Sequence, residues 1–124
     1  MLLDDDSRYL EVIQFSLESA DMTVDTAVSG AGLSARIERF APDVLVMDVM
    51  LGEHNGIALA RAFREESGRY DLPIVFVSAW TGTGELRLPG NSVMLFKPFT
   101  PNELIKAIGD ALRGQQVTAD NNVR

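Results

Sequence analysis

Five short apolar runs, separated by amphipathic stretches, constrain the fold of this chain more than any other feature. The apolar runs occupy residues 1–3, 22–26, 44–47, 74–77 and 92–96. Between the first two runs, Leu10, Ile13 and Leu17 recur at helical spacing. Strands that alternate with helices are typical of βα units built around a parallel sheet. The sequence therefore predicts an α/β domain with a five-stranded sheet.

The helices have start and end signals of their own. Ser7 is predicted to cap the first helix. The second helix is expected to end before Pro42, and the third to open after Gly56. The last helix has the clearest signal, a capping box with Thr100 at the N-cap and Glu103 at the third helical position. Three helices should thus follow the first and cover the sheet.

Helix-breaking residues occupy the place where one more helix would complete the alternation. The segment between Ser78 and Ser92 contains Gly82, Gly84, Pro89 and Gly90. A loop with at most one helical turn is therefore predicted there. After Gly114 the sequence is polar and aperiodic, so the predicted organisation is one folded domain over residues 1–113 and a flexible tail over residues 114–124.

Composition excludes several classes of protein. The chain has 124 residues, a net charge of -7 and no cluster of Lys and Arg, which disfavours direct contact with nucleic acid. It lacks cysteine, in keeping with a reducing compartment. No apolar stretch is long enough to span a membrane, and no basic region precedes an apolar one as it would in a signal peptide. The expectation is a single-domain cytoplasmic protein whose partners are other proteins.

Functional groups follow four of the five predicted strands. Asp4 and Asp5 follow the first strand, Asp48 ends the third, Ser78 ends the fourth and Lys97 ends the fifth. In an open parallel sheet, ligands bind in the crevice outside the carboxyl ends of the strands. These five residues are therefore predicted to share one site, although they are far apart in the chain.

The residue types at this predicted site suit phosphoryl transfer. Carboxylates hold Mg²⁺, and a carboxylate can also be the nucleophile that takes the phosphoryl group. An ammonium and a hydroxyl can hold the phosphoryl oxygens as charge develops on them. These residue types thus suit phosphoryl transfer at a site with a divalent cation.

Four motifs in order along the chain resemble the receiver domain of bacterial two-component response regulators. They are Leu2-Leu3-Asp4-Asp5-Asp6-Ser7, then Val44-Leu45-Val46-Met47-Asp48-Val49-Met50-Leu51 with Gly56, then Val75-Phe76-Val77-Ser78-Ala79, and then Phe96-Lys97-Pro98-Phe99. Together they are specific, whereas any one alone is weak. The resemblance implies a three-layer, flavodoxin-like fold with strand order 2-1-3-4-5.

The resemblance also implies roles for individual residues. Asp48 corresponds to the phosphoacceptor, which takes its phosphoryl group from a phosphohistidine on a histidine kinase or a histidine phosphotransfer protein. Asp4 and Asp5 correspond to the acidic pair that, with Asp48 and the backbone carbonyl of Met50, binds Mg²⁺ or Mn²⁺. The resemblance further implies that the signal passes to a downstream protein or onward by phosphotransfer.

Three more residues of this pattern have implied roles. Ser78 corresponds to the switch hydroxyl, and Lys97 to the lysine that pairs with the phosphoryl group. The bond from Lys97 to Pro98 is implied to be cis, which proline permits at little energetic cost.

The chain departs from the family pattern at several positions. The first strand is short, so the chain is expected to start late or to be trimmed. Gly52 stands where the family often has proline. Met94 stands where an aromatic switch residue is common, which puts readout through a rotating ring in doubt. The short segment after Ser78 and the aromatic Trp80 resemble a subset of stand-alone receivers with a loop in place of the fourth helix, in which Trp80 would be a switch or packing residue.

Two other functions stay open at this point. One is an interaction-only pseudo-receiver, which keeps the fold without the chemistry. The other is a phosphatase with an aspartate nucleophile, which fits the first acidic motif but for which no cap domain remains. The resemblance to a receiver domain implies a signalling protein that catalyses no reaction other than its own phosphorylation and dephosphorylation. Asp6 and the single histidine, His54, are predicted to be solvated surface residues.

Overall fold

The computed structural model describes residues 1–79 and 87–114, and this part of the chain contains four helices and seven strands. The helices are α1 (Ser7–Ser19), α2 (Leu33–Phe40), α3 (Gly56–Ser67) and α4 (Pro101–Leu112). The strands are β1 (Leu2–Leu3), β2 (Thr26–Ala27), β3 (Leu45–Asp48), β4 (Met50–Leu51), β5 (His54–Asn55), β6 (Ile74–Ser78) and β7 (Ser92–Phe96).

Five of the strands form one parallel sheet in the order β2-β1-β3-β6-β7. This is the predicted order 2-1-3-4-5, counted over the sheet strands alone. In its register Leu3 lies beside Met47, and Asp48 lies beside Val77. The carboxyl ends of β1, β3, β6 and β7 consequently meet at one edge of the sheet.

The sheet is buried on both faces, which accounts for the continuous apolar runs in its strands. One cluster of core residues includes Met47, Phe76 and Met94 and packs with α2 and α3. The other includes Val46 and Val77 and packs with α1 and α4. Successive strand residues point to opposite faces, so one run supplies both clusters. The result is the three-layer arrangement that the sequence predicts.

The helix ends agree with the predicted signals except at α1 and at α3, which begins at Gly56 itself rather than after it. Thr100 and Glu103 form the expected capping box at the start of α4. At α1 the N-cap is Asp6, whose side chain accepts hydrogen bonds from the backbone N–H groups of Arg8 and Tyr9. The prediction of Ser7 as the cap was therefore wrong by one residue. No helix in the two described ranges is long and apolar enough to cross a bilayer.

The second strand is shorter than predicted. The structure confines β2 to Thr26–Ala27, whereas the apolar pattern predicted residues 22–26. The neighbouring strand β1 contains two residues, Leu2–Leu3, so only two residues of β2 can pair with it. Met22 and Val24 still pack against the core beside α1 and α4, which explains why their pattern resembles that of a strand.

A short antiparallel pair that the sequence pattern did not indicate follows β3. Strands β4 and β5 pair Met50 with Asn55 and Leu51 with His54. Gly52 lies between them with a φ of 61°, a conformation that glycine adopts without strain. His54 is exposed, as predicted.

The segment before β7 is held by an arginine of α3. Of the segment predicted to be a loop, residues 79 and 87–91 are described and contain no helix. Residues 80–86 lie outside the described residues, as does the tail beyond Gly114. The buried guanidinium of Arg64 donates hydrogen bonds to the backbone carbonyls of Leu72 at 2.8 Å, of Asn91 at 3.1 Å, and of Gly90. Burial lowers the pKa of Arg64. This side chain thus connects α3 to the segments that directly precede β6 and β7.

Replacement of Arg64 by methionine should lower the free energy of unfolding by about 2 to 3 kcal/mol, because three backbone carbonyls lose a charged donor. Urea unfolding measures the change. The matched control is Arg61→Met, since Arg61 is exposed and makes one such bond, to the carbonyl of Arg87 at 2.8 Å. The control should change the stability by less than about 0.5 kcal/mol. Equal losses in both variants would contradict this account.

Candidate functional site

The carboxyl edge of the sheet brings together the side chains that the sequence placed at the strand ends. Asp4 follows β1, Asp48 ends β3, Ser78 ends β6 and Lys97 follows β7. Asp4, Asp48 and Ser78 are buried, with exposed fractions of 3%, 6% and 0%. The backbone N–H of Lys97 donates to the carbonyl of Ser78 at 2.8 Å, which fixes the end of β7 against β6.

The ammonium of Lys97 lies between two carboxylates. Its Nζ donates to Oδ2 of Asp48 at 2.9 Å and to Oδ2 of Asp4 at 3.2 Å. The side chain of Lys97 is 24% exposed, whereas the side chains of Asp4 and Asp48, taken without their backbone atoms, are 5% and 9% exposed. These contacts join the first, third and last strands of the sheet through one charge.

The turn after β3 binds two further carboxylate oxygens. The backbone N–H of Met50 donates to Oδ1 of Asp48 at 2.9 Å. The backbone N–H of Gly52 donates to Oδ2 of Asp5 at 3.0 Å. Asp5 is exposed, unlike Asp4 and Asp48. The turn therefore orients both Asp48, which ends β3, and Asp5, which follows β1.

Gly56 is the residue that allows this turn to close on β3. Its backbone N–H donates to the carbonyl of Val49 at 2.6 Å. A Cβ atom at position 56 would lie 2.1 Å from the carbonyl oxygen of Asp48. Only glycine fits at this distance, so the residue type at position 56 helps to place the Asp48 backbone.

The pKa values of two site residues differ from their ordinary values. Burial raises the pKa of Asp4, and the charge of Asp48 raises it further, against the hydrogen bond from the Asp6 N–H and the attraction of Lys97. For Lys97, burial lowers the pKa, but the hydrogen bond and charge of Asp48, with those of Asp4, raise it above the ordinary value. The lysine is thus a cation at neutral pH.

The arrangement of carboxylates fits a divalent cation. One oxygen from each of Asp4, Asp5 and Asp48 lies within 4.8 Å of the others. Adjacent oxygen ligands of an octahedral Mg²⁺ are about 3 Å apart and opposite ones about 4.2 Å, so a bound ion would draw these oxygens closer together. With Lys97 ionised, three carboxylates and one ammonium would leave two negative charges, which a divalent cation balances.

The structure places the other predicted residues as follows. Met94 is buried in the core beside α2 and α3, with 2% exposed, so its packing is established and a switching role stays a prediction. The bond from Lys97 to Pro98 is cis, as the sequence pattern implied. Met50 follows Asp48 by two residues, at the start of β4, and the use of its carbonyl stays a prediction. Trp80 lies outside the described residues.

Two residues near the site had no assigned role in the sequence. Asp6 is exposed, as predicted, but it also caps α1 and donates its backbone N–H to Oδ1 of Asp4 at 3.0 Å. An aspartate just before a helical pattern is itself a capping signal that could have been used. The ring of Tyr9 lies over Lys97, with Nζ 4.5 Å from the ring centroid. No local sequence signal indicates a contact between residues so far apart in the chain.

The chain matches the response regulator receiver domain profile over residues 1–109. It is 34% identical over 118 residues to the DNA-binding response regulator MtrA of Mycobacterium tuberculosis, covering 91% of this chain and 50% of the relative. It is 30% identical over 125 residues to the response regulator Rre1 of Synechocystis, covering 97% of this chain and 54% of that protein. The chain thus spans about half the length of these curated relatives.

Solved structures share the fold. The N-terminal domain of a response regulator/sensory box/GGDEF three-domain protein from Carboxydothermus hydrogenoformans superposes with a TM-score of 0.75 at 26% identity, covering 90% of this chain and 91% of the other. The chemotaxis response regulator CheY4 of Vibrio cholerae gives a TM-score of 0.77 at 24% identity, with 89% and 94% covered. The second likeness supports the fold alone.

Substitution of Gly56 by alanine should lower the stability by about 2 to 3 kcal/mol, because the added methyl group forces the Asp48 carbonyl away. Thermal or urea unfolding measures this. Gly90→Ala is the matched control, since a Cβ at position 90 meets nothing within 4 Å, and it should change the stability by less than about 1 kcal/mol. A Gly56→Ala variant as stable as the control would show that the turn relaxes freely.

Asp4→Asn should raise the stability by about 1 kcal/mol at pH 7 without divalent metal, because it removes a buried carboxylate that faces Asp48. Since the folded-state pKa of Asp4 is raised, ionisation of Asp4 destabilises the fold above that pKa, and this penalty disappears as the pH falls through it. The difference between wild type and variant should therefore shrink on acidification. Urea unfolding at several pH values tests this, and a variant less stable than wild type at pH 7 would contradict it.

Proposed function

Because the chain belongs to the response regulator receiver domain family, we propose that it accepts a phosphoryl group on Asp48 from a phosphohistidine of a histidine kinase or histidine phosphotransfer protein. The observation that carries this proposal is the placement of the Lys97 ammonium against both Asp48 and Asp4. A pseudo-receiver without chemistry would have no need to gather these carboxylates and the ammonium at one edge of the sheet.

In the proposed transfer, Oδ of Asp48 is the nucleophile. A P–O bond forms to Asp48 as the P–N bond to the donor imidazole breaks, and the imidazole nitrogen keeps the electron pair and takes up a proton. Oδ1 is held by the Met50 N–H and Oδ2 by Lys97, so the carboxylate is fixed before the donor arrives. Such positioning is the main work that a protein performs in phosphoryl transfer.

The other residues of the site hold the transferred group. Lys97 and Ser78 would bind phosphoryl oxygens, since the Lys97 ammonium contacts Asp48 and Ser78 ends β6, the strand beside β3. Asp4, Asp5, Asp48 and the Met50 carbonyl would hold Mg²⁺ or Mn²⁺. When bound, the metal would neutralise charge on the phosphoryl oxygens.

We further propose that this segment signals by contact with a protein target or by onward phosphotransfer, without turning over a separate substrate. Its net charge of -7 disfavours direct contact with nucleic acid. MtrA is named as a DNA-binding response regulator, and about half of its length lies outside the region matched here. The proposed receiver domain covers residues 1–113, and a cytoplasmic location is in keeping with the absence of cysteine.

Incubation of the chain with Mg²⁺ and acetyl phosphate should label one residue, and Asp48→Asn should abolish the labelling because an amide cannot form the acyl phosphate. Mass spectrometry of the intact protein measures the added phosphoryl group. Asp6→Asn is the matched control, since asparagine also caps helices and Asp6 is exposed. Labelling that persists in Asp48→Asn would assign the acceptor elsewhere, and a wild type that is never labelled would favour the pseudo-receiver.

A further inference from the structure

The Lys97 ammonium has an aromatic neighbour in addition to its two carboxylates. Its Nζ lies 4.5 Å from the centroid of the Tyr9 ring. A cation at this distance over a ring face is attracted by the negative face of the π-system. Lys97 is thus bounded by Asp4, Asp48 and the face of Tyr9.

The position of Tyr9 depends on the first turn of α1. The Asp6 side chain accepts hydrogen bonds from the backbone N–H groups of Arg8 at 3.1 Å and Tyr9 at 3.2 Å. The backbone N–H of Asp6 in turn donates to Oδ1 of Asp4 at 3.0 Å. The backbone that carries the ring is therefore tied to the same carboxylate that binds Lys97.

A second aromatic side chain packs against the ring of Tyr9. Phe99 contacts Tyr9 edge to face, with centroids 6.2 Å apart and an interplanar angle of 78°. Such T-shaped pairs are favourable because the positive edge of one ring meets the negative face of another. Phe99 directly precedes Thr100, the N-cap of α4, so the pair joins the starts of α1 and α4 around Lys97.

A divalent cation would compete with Lys97 for its carboxylate partners. Lys97 uses Oδ2 of Asp4 and Oδ2 of Asp48, and both aspartates belong to the cluster that fits a metal. The ring of Tyr9 is the one partner of this ammonium, among the described contacts, that a hard cation with oxygen ligands does not engage. The ring contact is thus the one that can persist when the carboxylates turn towards the metal.

We propose that Tyr9 is a positioning residue whose ring face keeps the Lys97 ammonium beside Asp48 while the carboxylates bind a divalent cation. This inference rests on the proposed function of the site. The hydroxyl of Tyr9 has no part in it, so Tyr9→Phe should preserve the effect. A side chain without a ring at position 9 should lose it.

The first test observes Lys97 directly in the full chain by NMR. The ε-methylene protons of Lys97 should be shifted upfield by the ring current in wild type and in Tyr9→Phe, and should stay so at saturating Mg²⁺. The upfield shift should be absent in Tyr9→Leu and in Tyr9→Met, a second variant in case the leucine variant unfolds. Phe15→Leu is the matched control, because Phe15 is an exposed aromatic residue of the same helix, and it should leave the Lys97 signal unchanged.

The second test measures the rate at which acetyl phosphate labels Asp48. Tyr9→Met and Tyr9→Leu should be labelled about five- to tenfold more slowly, the loss expected from one desolvated cation–π contact, while Tyr9→Phe stays within about twofold of wild type. Urea unfolding should show that the variants compared are folded.

The outcomes separate this inference from the function on which it rests. If Mg²⁺ moves the Lys97 signal of wild type to its position in Tyr9→Met, or if Tyr9→Met is labelled as fast as Tyr9→Phe, the inference is wrong and the phosphoryl-accepting function stands. If wild type is not labelled at all, the proposed function fails, and the NMR comparison still decides whether Tyr9 holds Lys97.

Discussion

The contact of one ammonium with two buried carboxylates is the interaction on which the rest of this site depends. Oxygens of Asp4, Asp5 and Asp48 lie within 4.8 Å of one another, and at that separation two carboxylates repel by about 3 to 4 kcal/mol at an effective dielectric of 20. Lys97 offsets part of this repulsion through Asp4 and Asp48. The fold can therefore hold these acidic groups close together only because Lys97, at the end of β7, places a cation beside them.

The parallel sheet places Lys97 at the same edge as the carboxylates. Asp48 lies beside Val77 and Ser78 beside Phe96 in the sheet register, so β6 and β7 end level with each other, one residue beyond the end of β3. A shift of register by one residue would turn the core side chains of a strand to the opposite face. Because both faces of the sheet are buried, the apolar side chains fix the register, and the register fixes the site.

The sequence predicted the parts of the structure that depend on long patterns. Strand β7 has the predicted bounds, the capping box of α4 is confirmed, and Lys97 contacts both Asp4 and Asp48 across the carboxyl edge of the sheet. In each case a repeated apolar pattern or a spaced motif carries more information than one residue. Their position at the ends of parallel strands follows from topology, so it could be predicted without knowledge of any side-chain contact.

The features that the sequence did not predict depend on contacts between residues distant in the chain, or on how many residues of a neighbouring strand are available for pairing. The extent of β2 is set by the two residues that β1 offers, which the pattern of residues 22–26 does not report. The need for glycine at position 56 arises from the Asp48 carbonyl, and the place of Tyr9 arises from Lys97. A single sequence holds no local sign of either contact.

The three consecutive aspartates show how a change of backbone conformation divides one motif into separate functions. Asp4 still follows the strand, so its side chain is buried at the edge of the sheet and contacts Lys97. Asp5 is exposed and binds the turn at Gly52. Asp6 has an extended backbone, with φ of -94° and ψ of 100°, and caps α1. Because the strand becomes a helix within these residues, like side chains meet three different surroundings. The acidic run therefore connects three parts of the structure: the end of β1, the turn after β3 and the start of α1.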